Sequence, residues 1–263
     1  MEQLVKNLAS QVQLELENQF VERMRKHFLL MDVCRKSPPL GDSGFLRVGS
    51  EHDGGYIMWN DFSGVKIAYS AGIDGNVTWD RDMAKRGIQL YMYDHTIEAP
   101  AETHPNFHFF KTGLTGVYQP EHPELETLPR LIRQNGHEND YRMILKMDIE
   151  GSEYNVLTEI DEDTLQHFMQ IVIEFHELCF MPGENTFLFA LDKLNATHQL
   201  VHVHANNYQG AIIRCGKVLP QVLEATYLRR DSYDFVKSTR FFPTKLDVPN
   251  NPEKEDYKLG YWG

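Results

Sequence analysis

The sequence predicts an α/β fold built on a mostly parallel sheet with helices on both faces. From residue 65 onward, short apolar runs alternate with helix-like segments, which is typical of parallel strands joined by crossover helices. The apolar run at 143–147 ends abruptly at Asp148, Glu150 and Gly151. Such a run indicates a strand buried on both faces, and its acidic end falls at the rim of the sheet, where ligands of open α/β sheets bind.

Seven strands follow from these runs, and the seventh is expected to pair antiparallel with the sixth. They are predicted at residues 65–70, 89–94, 107–111, 143–147, 169–175, 199–204 and 222–228. Helices are predicted between them at residues 78–86, 125–134, 153–159 and 186–195. Gly87 suits the end of the first helix because glycine readily adopts the left-handed conformation found there.

A helical extension is expected before this domain, at residues 1–40. Residues 1–36 contain no glycine or proline and repeat apolar residues at four-residue steps, and the prolines at 38 and 39 end the pattern. The helix is expected to pack on the domain, with a homodimer as the alternative. The main domain is assigned to residues 41–242, and a loosely attached tail to residues 243–263.

Composition argues against several classes of function. The formal net charge of −12 disfavours nonspecific binding of nucleic acid, which requires a basic face. No apolar run reaches the length of a membrane span. The three cysteines, Cys34, Cys179 and Cys215, lack a metal-binding spacing, and the polar first residues do not resemble a secretory leader. We therefore expect reduced thiols and a cytoplasmic protein.

A nucleoside-binding constellation is predicted at the ends of the first two strands. The turn at 70–76 holds Gly72, whose missing side chain would let a ligand approach the backbone. Asp94 follows Gly72 by 22 residues at the end of the second strand, where an acid can accept hydrogen bonds from ribose hydroxyls. Because the Gly-x-Gly-x-x-Gly fingerprint of dinucleotide sites is absent, S-adenosylmethionine is preferred over NAD as the cofactor.

Acids and imidazoles at the ends of the fourth, fifth and sixth strands are candidates for activating a hydroxyl group. Methyl transfer to a hydroxyl requires alignment and loss of the hydroxyl proton, which a base or a divalent metal can assist. The candidate catalytic residues are Asp148, Glu150, His176 and His204. Three or four of the same residues could instead hold Mg²⁺ or Mn²⁺, and metal dependence is left open.

Several of these motifs resemble one known family, the FkbM-type class I methyltransferases and their methyltransferase-like relatives. The matching segments are 69–73, 79–80, 93–96 and, most specifically, 145–153. Segments 46–47, 53–56 and 202–207 are similar to relatives from bacterial polysaccharide loci. The first glycine turn departs from the family pattern, because Ser70 stands in place of the usual acid and Asp74 follows the glycine.

The resemblance implies a seven-stranded Rossmann-like methyltransferase fold and roles for the matching residues. Those expected to bind S-adenosylmethionine are Ser70, Gly72, Asp74, Asp94, Thr96 and Asp148. Those expected to contact the acceptor are Asp53, Tyr56, Asn206 and Asn207. Arg47 and Arg229 would anchor a phosphate group if the acceptor carries one.

The sequence thus predicts O-methylation of a small polar acceptor, such as a sugar, a polysaccharide precursor or a phosphorylated metabolite. Two alternatives stay open at this point. One is an NAD-linked oxidoreductase, which would also use a nucleotide-binding sheet. The other is a non-catalytic binding module that keeps the fold, and binding without turnover would distinguish it from the enzyme.

Overall fold

A seven-stranded sheet forms the centre of the molecule. The computed structural model describes residues 2–34, 44–180, 184–214 and 216–262. The strands of the sheet, β1 to β7 in chain order, are Ile67–Ala71, Gln89–Tyr93, Phe107–Phe110, Met143–Met147, Phe168–Phe175, His198–Ala205 and Leu223–Arg229. Their spatial order is β3-β2-β1-β4-β5-β7-β6, and β7 alone among these strands runs antiparallel to its neighbours. The predicted fold class and the predicted pairing of the last two strands are therefore confirmed.

The order of the strands reverses between β1 and β4, and this switch point positions the site. Crossovers leave β1 and β4 on opposite faces there, so the loops beyond the strand ends diverge and open a crevice. The ladder continues one residue past the strands: the Asp148 amide donates to the Ala71 carbonyl, and the Gly72 amide donates to the Tyr93 carbonyl, both at 3.0 Å. The loops after β1, β2 and β4 are thus fixed relative to one another.

Helices cover both faces of the sheet. They are α1 Glu2–His27, α2 Thr78–Ala84, α3 Leu128–Gln134, α4 Glu153–Glu159, α5 Glu162–Leu165 and α6 Glu184–Thr197, with a 3₁₀ turn at Leu178–Phe180. The largest cluster of buried apolar side chains joins α3, α4, α6 and the end of α1 to one face. A second cluster joins α2 and a β-hairpin to the other face. The sheet is buried on both sides, which explains the uninterrupted apolar runs of its strands.

The β-hairpin on the α2 face consists of Phe45–Gly49 and Gly55–Trp59. It is anchored to the sheet by polar contacts: the Trp59 amide donates to the Gln170 side chain at 2.7 Å, and the Thr226 hydroxyl donates to the Ile57 carbonyl at 2.5 Å. The turn of this hairpin carries Asp53, and its second strand carries Tyr56. Docking of the hairpin therefore carries both residues toward the carboxyl ends of β4 and β5.

The remaining short strands form two-stranded pairs around the sheet. The pairs are Met31–Cys34 with Asp234–Lys237, Gly113–Leu114 with Leu125–Glu126, Ala211–Arg214 with Lys217–Pro220, and Phe241–Phe242 with Gly260–Tyr261. These pairs correct two sequence-based boundaries. Helix α1 ends at His27 because the chain turns into the strand Met31–Cys34, and α3 starts at Leu128 because Leu125–Glu126 pairs with Gly113–Leu114.

Helix α1 packs through its C-terminal end. Met24 and Phe28 are completely buried, whereas Leu8, Val12 and Leu16 are more than half exposed. The predicted break at 37–41 and Cys215 lie outside the described residues, and Cys34 and Cys179 are free thiols. None of the described helices is both long and apolar enough to cross a membrane.

The segment after residue 243 is an integral part of the fold, so the expectation of a loosely attached tail is wrong. Trp262 is 1% exposed, and Asn250 is completely buried. The Asn250 side-chain amide donates to Asp53 at 3.1 Å and to Glu224 at 2.6 Å. We call residues 247–256 the C-terminal strap, because they cross the ends of β6 and β7 and satisfy buried side chains there.

Replacing Asn250 with alanine should destabilise the protein by about 1–3 kcal/mol, because the buried Glu224 carboxylate and the exposed Asp53 carboxylate both lose a donor. The free energy of unfolding in urea measures the effect. Glu253→Gln, an exposed change in the same strap, is the control and should stay within about 0.5 kcal/mol of the unsubstituted protein. Equal stability of the two variants would contradict a structural role for the strap.

Candidate active site

A cavity of about 770 Å³ opens at the carboxyl ends of β1, β2, β4 and β5. Its volume is in the range of small-molecule sites. Nine of the predicted site residues line it: Asp53, Gly72, Asp74, Asp94, Thr96, Asp148, Glu150, His176 and Asn206. Gly72, Asp94 and Asp148, on which the sequence-based prediction depended, thus face one crevice. Glu174 and Lys146 also line the cavity, although the prediction assigned neither a role.

Gly72 is required by a backbone contact between the loops after β1 and β4. Its φ is 76°, and a Cβ atom at this position would lie 1.5 Å from the Asp148 carbonyl oxygen. The Gly72 carbonyl accepts a hydrogen bond from the Lys146 ammonium at 2.7 Å. The close approach that forbids a side chain is therefore made by the protein itself, and it holds Asp148 at the wall of the cavity.

Asp94 fixes the turn after β1 by accepting four hydrogen bonds. Its Oδ2 accepts from the amides of Ile73 and Asp74 at 2.9 and 3.0 Å, and its Oδ1 accepts from the Thr96 amide and hydroxyl at 2.8 and 2.6 Å. Burial raises the pKa of a carboxyl group, but these donors outweigh it and lower the pKa of Asp94 to about 2. The carboxylate is therefore ionised throughout the physiological pH range.

Tyr56 orients the Asp148 carboxylate through a hydrogen bond to one of its oxygens. The Tyr56 hydroxyl donates to Asp148 Oδ2 at 3.0 Å, and the Lys146 ammonium lies 3.6 Å from the same oxygen. Tyr56 is 2% exposed and does not line the cavity. The sequence predicted that Tyr56 contacts the acceptor, but in the structure its hydroxyl contacts Asp148 instead. The other oxygen, Oδ1, points toward His176, whose Nε2 lies 4.0 Å away.

Glu174, at the end of β5, is a buried acid that sequence reasoning left without a role. Its Oε1 accepts from the Asn206 side-chain amide at 2.7 Å, and its Oε2 lies 3.4 Å from the Tyr56 hydroxyl. Burial raises the pKa of Glu174 well above its usual value, and the charge of Asp148 adds to the effect. The sequence holds a usable signal, since Glu174 stands two residues before His176 at the end of a strand, and residues two apart in a strand lie on the same face.

His176 is held by Glu153 through one ring nitrogen. Its Nδ1 lies 3.0 Å from Glu153 Oε1, and Glu153 is completely buried and accepts from the amides of Ile149 and Gly151. Burial lowers the pKa of an imidazole, but the hydrogen bond to Glu153 and the nearby carboxylates outweigh this and raise the pKa of His176. The ring presents Nε2 to the cavity, with the exposed Glu150 carboxylate 3.4 Å away.

Three predicted residues lie elsewhere. His204, expected to be catalytic, is 2% exposed and lies between Glu224 and Asp256 of the strap, each at 3.0 Å. Ser70 is completely buried within β1, which does not suit a cofactor contact. Asn207, expected to bind the acceptor, donates instead to backbone carbonyls of the strap at 3.0 to 3.3 Å.

The two predicted phosphate anchors are also engaged away from the cavity. Arg47 donates to the backbone carbonyls of Ser50 and His52 within the hairpin turn, at 2.8 and 2.6 Å. Arg229 lies at the opposite end of the sheet and donates to the carbonyls of Tyr141 and Gln166. Neither guanidinium lines the cavity, so the described residues provide no arginine anchor there.

The strand order and the cavity at its switch point define a Rossmann-like α/β protein. Residues 88–208 match the family model described as the methyltransferase FkbM domain, which confirms the resemblance predicted from the sequence and supports a methyltransferase. No curated protein sequence matches the chain. The chain is similar, at 11% identity and a TM-score of 0.32, to the crystal structure of a mutant 16S rRNA (adenine(1408)-N(1))-methyltransferase from Catenulisporales acidiphilia, over 70% of this chain and 97% of that chain.

Gly72→Ala should be the more damaging of two glycine substitutions. Gly72 and Gly87 both have positive φ, but a Cβ atom at Gly87 would meet nothing within 4 Å. The strained backbone alone costs about 1–2 kcal/mol, so Gly87→Ala measures that contribution. Gly72→Ala adds the clash with Asp148 and should cost at least about 1.5 kcal/mol more in urea unfolding. Equal losses would contradict the importance of this contact.

The stability of the protein should depend on the charge of His204. Burial lowers the pKa of an imidazole, but hydrogen bonds to Asp256 and Glu224 outweigh it and raise the pKa of His204 to about 10. Because the unfolded-state pKa is about 6.5, this stabilisation is complete below pH 6.5 and is lost as the pH rises toward 10. Between these limits the group contributes a slope of about 1.4 kcal/mol per pH unit.

Urea unfolding of the His204→Gln variant between pH 6.5 and 9.5 should therefore show a smaller loss of stability with rising pH than the unsubstituted protein. His122→Gln, at an exposed histidine, is the control and should keep the original pH dependence. A His204→Gln variant with the unchanged slope would show that the imidazole is not charged in the folded state.

Proposed function

We propose that the protein transfers a methyl group from S-adenosylmethionine to an oxygen of a small polar acceptor, such as a sugar or polysaccharide precursor. The observation that carries the proposal is the single cavity that joins Gly72, Asp94, Asp148 and His176. The family match at 88–208 supports methyl transfer and includes three of these four residues. A cytoplasmic location is part of the same proposal.

The residues around Asp94 fit an adenosyl group. Asp94 is ionised and lines the cavity, and an ionised acid at the end of β2 is suited to ribose hydroxyls. Its four acceptor positions are occupied, but the Thr96 hydroxyl can rotate and free one position on Oδ1. Asp74 lines the same part of the cavity and adds negative charge, which favours the ammonium and sulfonium groups of the cofactor.

Asp148 and His176 would activate the acceptor. When bound, S-adenosylmethionine supplies an electrophilic methyl group, and the acceptor hydroxyl loses its proton as the new bond forms. Asp148 Oδ1 can accept a hydrogen bond from that hydroxyl and orient it. His176 Nε2 can take the proton, and the resulting imidazolium is stabilised by Glu153 on its other nitrogen. His204 has no part in this scheme because it is buried between two carboxylates.

Calorimetric titration with S-adenosylmethionine and with NAD tests the cofactor. S-adenosylmethionine should bind, and Asp94→Asn should weaken it at least tenfold, the loss expected when a hydrogen bond to a charged group is removed. Glu98→Gln is the control, because Glu98 is an exposed acid on the same loop that does not line the cavity. Binding of NAD in place of S-adenosylmethionine would favour the oxidoreductase and end the proposal.

Transfer of a labelled methyl group across a panel of sugars, sugar phosphates and amines tests the acceptor. The proposal expects transfer to a hydroxyl of at least one sugar, with a lower maximal rate in His176→Gln and unchanged affinity for the cofactor. Transfer to amines alone would overturn oxygen as the acceptor atom. Binding of the cofactor without transfer to any member would favour the non-catalytic module.

A further inference from the structure

The carboxyl ends of β4 and β5 bring together three side chains of the kinds that bind divalent metals. Asp148, Glu174 and His176 each offer one ligand atom, and these atoms lie within 4.8 Å of one another. A cation with bonds of about 2.1–2.3 Å bridges ligand atoms up to about 4.5 Å apart. A side-chain rotation that moves one ligand atom by a few tenths of an ångström would therefore bring all three within bonding distance of one cation.

Each of the three side chains has its other polar atom held by a different partner. Tyr56 binds Asp148 Oδ2, Asn206 binds Glu174 Oε1, and Glu153 binds His176 Nδ1, at 3.0, 2.7 and 3.0 Å. Asp148 Oδ1 and His176 Nε2 lie 4.0 Å apart, and Glu174 Oε2 has only a long contact of 3.4 Å with the Tyr56 hydroxyl, which also binds Asp148. These three atoms can therefore share one ligand. Partners of this kind fix the orientation of metal ligands, and the pairing of a ligating histidine with a carboxylate is the most frequent form.

The surroundings of the three side chains are compatible with a cation. Lys146 approaches Asp148, but on the oxygen that Tyr56 already binds, and its ammonium donates to the Gly72 carbonyl. All three side chains line the cavity, so water or substrate oxygens can complete the coordination. Glu150, which the sequence suggested as a ligand, has a side chain that is 87% exposed, and Glu174 takes its place.

We propose that Asp148, Glu174 and His176 bind one divalent cation at the wall of the cavity. Two carboxylates and one imidazole suit Mn²⁺, since magnesium prefers oxygen ligands alone and softer metals prefer more nitrogen or sulfur. The proposal that the cation binds depends only on this geometry and not on the proposed function. The role of the cation rests on the proposed function: with His176 Nε2 bound to it, the cation would replace His176 in activating the acceptor hydroxyl, lowering the pKa of that hydroxyl as a Lewis acid so that its proton passes to water.

Titration of the EDTA-treated full-length protein with Mn²⁺, followed by the electron paramagnetic resonance signal of free Mn²⁺, tests the site. One equivalent should bind with a dissociation constant below about 1 mM. Glu174→Gln and His176→Gln should each weaken binding at least tenfold, and Tyr56→Phe, which removes a partner of Asp148, should weaken it about tenfold. Thermal melting shows whether each variant is folded.

Glu177→Gln is the matched control. It removes the same charge as Glu174→Gln, lies next to His176, is exposed and does not line the cavity, so its affinity for Mn²⁺ should stay within about twofold of the unsubstituted protein. Absence of Mn²⁺ binding by the unsubstituted protein would overturn the proposal. Equal Mn²⁺ affinity in the folded Glu174→Gln and His176→Gln variants would overturn it as well.

Titration of the same EDTA-treated protein with S-adenosylmethionine separates this proposal from the proposed function. A protein that binds Mn²⁺ with the expected variant pattern but binds no S-adenosylmethionine retains the metal site and loses the methyl-transfer role. A protein that binds S-adenosylmethionine but no Mn²⁺ retains methyl transfer by Asp148 and His176 and loses the metal site.

Discussion

The contact between the Gly72 turn and the Asp148 backbone is the constraint on which the candidate site depends. It is a close approach of two main chains, completed by the Lys146 ammonium on the Gly72 carbonyl and by the Asp148 amide on the Ala71 carbonyl. Because the two loops belong to the strands that flank the switch point, this contact sets the width of the crevice. The Asp94 side and the His176 side of the cavity are therefore held at a fixed separation. In the proposed reaction, this would lower the entropic cost of aligning cofactor and acceptor.

A second layer of buried polar side chains supports the wall of the cavity formed by Asp148, Glu174 and His176. Tyr56, Asn206 and Glu153 each orient one residue at the cavity wall, and each is itself almost fully buried. Burying so many polar groups is costly unless every one finds a partner. The hairpin provides Tyr56 and Asp53, which accepts from Asn206, and the strap binds the same Asp53 through Asn250. The stability of the periphery and the geometry of the site are therefore coupled.

The sheet could be predicted from the sequence because its strands are buried on both faces and read as uninterrupted apolar runs. Asp94 and Asp148 were found for the same reason, since each directly follows such a run. The partners of these acids could not be found in this way. Tyr56 meets Asp148 across 92 residues, and His204 meets Asp256 across 52, and local patterns carry no information about such distances. His204 ends an apolar run as His176 does, and only its contacts with Glu224 of β7 and Asp256 of the strap, which the sequence does not show, distinguish the two.

Glu153 illustrates a different limit. It belongs to the most specific motif of the chain, but an acid at the start of a helix has an ordinary explanation in the helix dipole. The structure shows that its carboxylate accepts from two backbone amides and also binds His176. Its position five residues after Asp148 was visible in the sequence, while its partner, at the end of another strand, was not.

The contact of Asn250 with Asp53 joins residues 197 positions apart. During synthesis from the amino terminus, the hairpin turn and strands β1 to β6 emerge well before the strap, and β7 emerges shortly before it. Asp53 and Glu224 lack the Asn250 amide as a donor until residues around 250 leave the ribosome. Strands β1 to β5 can thus pair early, whereas β6 joins the sheet only through the later β7, and the Asp53 side of the crevice is completed only once the strap is in place.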